Sequence, residues 1–126
     1  MRLNPDCIRD ILLYVEENST FTNAICINRQ NPPKEFHEYS YDELLYHISQ
    51  CSQSGFLNGF SSYDNGDTVL IGDLTPKAHE FLANIRNNEI WSKVKSTAKQ
   101  VGVDSLKALM SIAVQIASQV ISHHFG

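Results

Sequence analysis

The stretch Tyr46-His47-Ile48-Ser49-Gln50-Cys51-Ser52-Gln53-Ser54-Gly55-Phe56-Leu57 runs from the end of one element into the next with almost no linker. Just upstream, Ser40 to Glu43 reads Ser-x-x-Glu, a capping box. Tyr41, Leu44, Leu45, Ile48 and Cys51 then recur at helical spacing. This pattern predicts a helix over 41–54 that Gly55 closes. Downstream, Phe56, Leu57 and Phe60 lead into Asn65-Gly66, a strong hairpin turn signal, and Thr68 to Ile71 supplies the return strand. Residues 56–73 therefore read as a two-stranded hairpin. A helix that stops on glycine and turns at once into a hairpin, whose first strand lays apolar residues back on the core, has the form of a winged helix.

The flanking segments fit that reading. Asn4, Pro5 and Asp6 supply a cap, a first-turn proline and a first-turn acid, and Ile8, Ile11, Leu12 and Val15 follow at helical spacing. A first helix is expected over 4–17. Phe21, Ala24, Ile25, Cys26 and Ile27 suggest a strand, or the first arm of a loose hairpin ending near Phe36 and Tyr39. Thr75-Pro76 opens a third helix with Ala78, Phe81, Leu82 and Ile85 on one face. Past Arg86-Asn87-Asn88-Glu89 the apolar stripe changes phase: Ile90, Trp91, Val94 and Ala98 point to nearly the opposite side. Either the helix breaks near Asn87-Asn88, or it continues against a different surface. Gly102 ends that segment, Asp104 caps the last helix, and Leu106, Leu109, Met110, Ala113, Ile116, Ala117, Val120 and Ile121 form a broad apolar face. The expected fold class is α+β: a winged-helix-type core, 1–86, in the order helix, strand, helix, β-hairpin wing, helix, followed by a C-terminal helical extension, 87–126.

With 126 residues the chain can bury a full core without disulfides or metals. Its formal net charge of −4 argues against an indiscriminate nucleic-acid binder. Residues 1–74 carry four basic and eleven acidic side chains, and residues 75–126 carry six basic and three acidic, giving −7 and +3. Cys7, Cys26 and Cys51 are odd in number and widely spaced, which suits free thiols in a reducing compartment. The N-terminus has no apolar signal region, and the tract 105–121 is interrupted by Lys107, Ser111, Gln115, Ser118 and Gln119, so neither secretion nor a membrane span is expected. The expected location is the cytoplasm.

Catalytic chemistry is hard to find. No Gly-x-Ser-x-Gly elbow and no glycine-rich phosphate loop occurs. His47 and His79 are the one pair that suggests a metal or acid–base site, but no Cys, Asp or Glu sits at ligand spacing from them, and two histidines bonding the edge of the core is the simpler reading. His123-His124 reads as a frayed tail. Glu16-Glu17 and Asp42-Glu43 lie at helix ends, where solvated or capping acids are ordinary. Asp64 and Asp67 flank the hairpin turn, where calcium is conceivable but the spacing is not that of an EF-hand. No cofactor is expected.

Binding is the remaining class. A winged helix reads DNA by laying one helix in the major groove with the wing near the backbone. Here that helix offers Asp42, Glu43, Tyr46, Gln50 and Gln53, and the wing offers Asp64 and Asp67, with no Lys or Arg on either. Phosphate contacts dominate DNA affinity, so this surface opposes it. The one candidate nucleic-acid patch is Lys93, Lys95 and Lys99. The apolar face of the last helix has to be covered, by helix 1 of the same chain, by a second copy in a homodimer, or by a partner's groove; its polar side lacks the lysines a membrane surface would need.

Several blocks carry a family resemblance: Asn4-Pro5-Asp6-Cys7-Ile8-Arg9-Asp10-Ile11-Leu12, Tyr46-His47 with Ser54-Gly55-Phe56-Leu57, Asp73-Leu74-Thr75-Pro76-Lys77-Ala78-His79-Glu80-Phe81-Leu82 with Ile85-Arg86, and Trp91-Ser92-Lys93-Val94-Lys95. In these the chain resembles the bacterial and phage-borne domain of unknown function 2513, over about residues 2–100. Ala78 departs from the glycine usual there, which suits a helix interior. The resemblance implies a winged-helix fold and frequent residence on mobile elements, and it brings no activity. The expected function is a non-enzymatic protein-interaction or regulatory module, with a DNA-binding transcriptional regulator as the alternative and a His47–His79 enzyme a distant third.

Overall fold

The computed structural model describes residues 1–102 and 104–125, with side chains through Ile121 except at 103. Five helices, α1 (Pro5–Asn18), α2 (Tyr41–Gln53), α3 (Pro76–Ile85), α4 (Asn88–Val101) and α5 (Leu106–Phe125), pack around a small sheet of β1 (Ile25–Asn28), β2 (Phe60–Tyr63) and β3 (Thr68–Ile71). The class is α+β, as the sequence predicts.

Both ends of α2 form as its sequence dictates. The Ser40 hydroxyl accepts from the Glu43 amide and the Glu43 carboxylate accepts from the Ser40 amide, completing the capping box. At the other end Gly55 has φ +79, and the amides of Gly55 and Phe56 donate to the carbonyls of Ser52 and Cys51. That pair of bonds is a Schellman stop, and it needs a left-handed residue where Gly55 stands. Thr75 then ties the start of α3 to the same corner: its amide donates to the Phe56 carbonyl and its hydroxyl to that of Gly55.

The sheet order is β1-β3-β2, with both neighbours antiparallel to β3, so Ile71 faces Ile25 on one side and Phe60 on the other. Inward alternation is clean in β1 and β3, where Ile25, Ile27, Val69 and Ile71 are buried. At the base of the hairpin the backbones of Gly59 and Gly72 approach so closely that a Cβ on Gly72 would lie 2.8 Å from the Gly59 nitrogen. The segment 20–39 is resolved as a single strand followed by a 3-10 turn, Lys34–Phe36, rather than a hairpin. Phe21, read from sequence as part of the strand, lies before it and is fully exposed.

The third helix does break. Asn87 leaves helical geometry and its side chain accepts from the amides of Glu89 and Ile90, capping α4. The core nevertheless runs on: Trp91, Val94, Ala98, Leu106, Leu109 and Ala113 belong to one cluster with Ile8, Ile11, Ile48 and Leu82. The strongest backbone contacts of α5 are with α3 and α4, not with the first helix as one reading of the sequence had it.

His47 is the buried polar side chain of that core, 1% exposed. Its Nδ1 lies 2.7 Å from the Glu43 carbonyl and its Nε2 2.8 Å from the Asn4 amide nitrogen. A carbonyl only accepts and an amide only donates, so the ring carries its proton on Nδ1. The side chain thereby joins α2 to the cap of α1. Replacing it by phenylalanine roughly keeps the volume but leaves the Asn4 amide without its acceptor, while the Glu43 carbonyl keeps only its bond in the helix ladder. We expect His47→Phe to lower unfolding stability by about 1–3 kcal/mol, measured by urea denaturation with an unchanged m-value.

Candidate interaction surface

The last helix carries more apolar surface than its neighbours cover. Leu106, Leu109, Ala113, Ile116 and Ala117 are buried against the body, together with Ile112. Met110 and Val120 are half-buried, Val114 is 51% exposed and Ile121 58% exposed. Met110, Val114, Ala117 and Ile121 fall at spacings of four, three and four residues, the heptad pattern of a helix–helix seam. Val114 and Ile112 stand outside the face read from sequence. Of the face read from sequence, Leu106, Leu109, Ala113, Ile116 and Ala117 turn inward, while Met110 and Ile121 reach the outer side that Val114 completes.

Beside this stripe lies a groove of about 570 Å³ between the end of α2, the start of α3 and α5. Met110 and Val114 line it with Lys77, Lys107, Gln53 and Ser54. Lys107 is the sole Lys, Arg, Asp or Glu in α5. The side chains of His123 and His124 lie outside the described residues.

The lysines of α4 do not act as one patch. The Lys95 ammonium lies 3.0 Å from Asp6 Oδ1, which also accepts from the Trp91 indole at 2.9 Å. Lys93 and Lys99 are exposed, but six residues apart on a helix they project in directions well separated around the axis. Near the hairpin, a base that the local sequence did not suggest is present: Arg29, from the end of β1, reaches Asp67 at 2.7 Å and Asp42 at 3.6 Å and lies over the Tyr41 ring. It is spent on two carboxylates. The Tyr41 hydroxyl also donates to the Gly66 carbonyl at 2.7 Å, so the hairpin turn is pinned to the start of α2.

The other candidates have partners of their own. His79 is exposed on α3, its Nδ1 4.0 Å from Glu16, and Glu16 accepts two hydrogen bonds from Arg86. Both ring nitrogens of His47 are engaged elsewhere, so the two histidines share no partner. Among the described residues, no group of three His, Cys, Asp or Glu side chains is placed to hold a metal ion, and no helix is long and apolar enough to cross a membrane. Cys7 and Cys51 are buried and Cys26 is exposed. Burial, with the nearby charges of Asp10, Glu43 and Glu38, pushes the Cys7 thiol up to about 12, and burial pushes Cys51 up as well, which makes both poor nucleophiles.

The geometry thus defines an α+β domain whose unusual surface is apolar and helical. The chain belongs to the family described as "Hypothetical protein (DUF2513)", whose model matches residues 2–104. It is 30% identical over 124 residues to an uncharacterized protein of Haemophilus influenzae, an alignment covering 97% of this chain and 100% of the relative. No solved structure matches the chain.

The Asp6 contacts make a pH prediction. Partial burial alone would raise that carboxyl, but hydrogen bonds from Trp91 and Lys95 and the charges of Lys95 and Arg9 outweigh it and hold it below its ordinary value. Glu16 is lowered as well, chiefly by its hydrogen bonds from Arg86. A depressed carboxyl binds its proton less readily folded than unfolded, so the stability it gives is full above the ordinary carboxylate value and is lost as pH falls through the lower folded value. We expect the thermal midpoint to fall between about pH 5 and about pH 3, and to fall less steeply in Asp6→Asn, as followed by circular dichroism.

Proposed function

We propose that the protein is a non-enzymatic, cytoplasmic interaction module of winged-helix type, of mobile-element origin as its family resemblance suggests, and that it works by pairing α5 with another helix. The observation that carries this reading is the outer stripe of Met110, Val114 and Ile121, left uncovered by the in-chain packing of α5. The order α1, β1, 3-10 turn, α2, β2, β3 with β3 central supports the winged-helix assignment.

A second copy of the chain is the partner that fits best. Past Lys107, the polar residues of α5 beside the stripe are Ser111, Gln115, Ser118 and Gln119, which carry no charge, so that the charges near the stripe, Lys77 and Lys107, gather at its start. An antiparallel pair related by a two-fold axis keeps the two Lys107 side chains apart and sets each apolar position against another. Light scattering after size exclusion tests this. We expect a dimer, and at least a tenfold weaker one in the double variant Val114→Glu/Ile121→Glu, with the helix content by circular dichroism unchanged because both positions are exposed. A strict monomer that also retains its cellular partners after both substitutions overturns the reading.

The winged-helix order together with the exposed Lys93 and Lys99 favours a second reading, a DNA-binding regulator. The carboxylates of Asp42, Asp64 and Asp67 stand against it on the reading helix and wing. Under that reading a random duplex at low salt shifts the protein, and Lys93→Glu/Lys99→Glu removes the shift and flattens its salt dependence. We expect no shift in either protein.

A further inference from the structure

A cleft of about 300 Å³ lies where the start of the chain meets the end of α4 and the start of α5. Leu3, Pro5, Ala98 and Leu109 line it with Ser105, and Lys95 and Lys99 are the charged residues at it. It has the composition of a small-ligand site: mostly apolar walls with a few polar groups of one sign. Among the described residues, no acidic side chain lines it. The Lys95 ammonium is already answered by Asp6 and lies over the Trp91 ring. The positive charge left for a ligand is that of Lys99, one helical turn further along the same face.

We propose that this cleft binds a medium-chain monocarboxylate, with the apolar tail against Leu3, Pro5, Ala98 and Leu109 and the carboxylate at Lys99. Tail and head are both needed. The walls offer nothing to a purely polar anion, and a neutral chain would forgo the ion pair that Lys99 can make at the rim. The proposal is independent of dimerisation, because it does not use Val114 or Ile121.

Titration calorimetry of the whole protein with octanoate, kept below micelle formation, tests it. Octanol supplies the same tail without the charge, and butyrate the same head with a short tail. We expect saturable, one-site binding of octanoate, and at least tenfold weaker binding of octanol and of butyrate. Lys99→Glu should weaken octanoate at least tenfold, and Lys93→Glu, which changes an exposed lysine of the same helix outside the cleft, should leave it unchanged. Both substitutions are at exposed positions, so folding is preserved. Absence of saturable octanoate binding, equal binding of octanol, or equal losses in the two lysine variants overturns the proposal.

Discussion

Helix α1 and its caps carry polar groups into contact with nearly every other part of the molecule, and the more each is shielded from water the more it costs to leave it without a partner. The Asn4 amide meets His47 of α2. Asp6 meets Trp91 and Lys95 of α4. Arg9 donates to the carbonyls of Ile85 and Arg86 and to the Asn88 side chain, filling the open end of α3 where it hands over to α4. Asp10 accepts from Tyr39, beyond the 3-10 turn, and Ser19 donates to Asp73 after β3. The apolar face of α1 sets how tightly its neighbours pack, while these bonds set where along it each one sits.

The charge asymmetry of the sequence takes on a different meaning in this light. In sequence it is only an acidic first part followed by a basic second part. In the fold, Asp6 pairs with Lys95 and Glu16 with Arg86, so two of the contacts that hold the parts together are drawn from that asymmetry. Both are partly exposed pairs, worth little individually as ion pairs. What they do is set a carboxylate beside each of the two cations, Lys95 and Arg86.

Local signals made the helices legible. Asn4-Pro5, the Ser40–Glu43 box, Gly55 and Thr75-Pro76 are all terminators whose physics lies within a few residues, and the change of stripe phase at Asn87 was visible for the same reason. What was obscure depends on distant partners. β1 is a strand because β3 lies beside it, some forty residues later, so residues 20–39 alone left strand and hairpin open. His47 was legible as a histidine bonding at the edge of the core, but its partner was not, because the Asn4 amide that meets its Nε2 is distant in sequence. Arg29 sat in a turn-rich loop with nothing to show that it would reach Asp67 and Asp42. On α5 the sequence showed how much apolar surface exists, but only the placement of α3 and α4 decides which part of it is left over.

The polar partners of α1 also impose an order on synthesis. The first helix emerges from the ribosome early, yet its Asp6 waits for Trp91 and Lys95, and its Arg9 for residues 85–88. Until most of the chain has been made, α1 and α2 can associate through Ile8, Leu12 and Ile48 but keep an unfinished polar rim. The full set of native contacts around α1 therefore requires residues 85–95 to be present. A chain truncated early in α4 would lose the contacts that complete its first turn of helix, so that the damage falls at the end farthest from the cut.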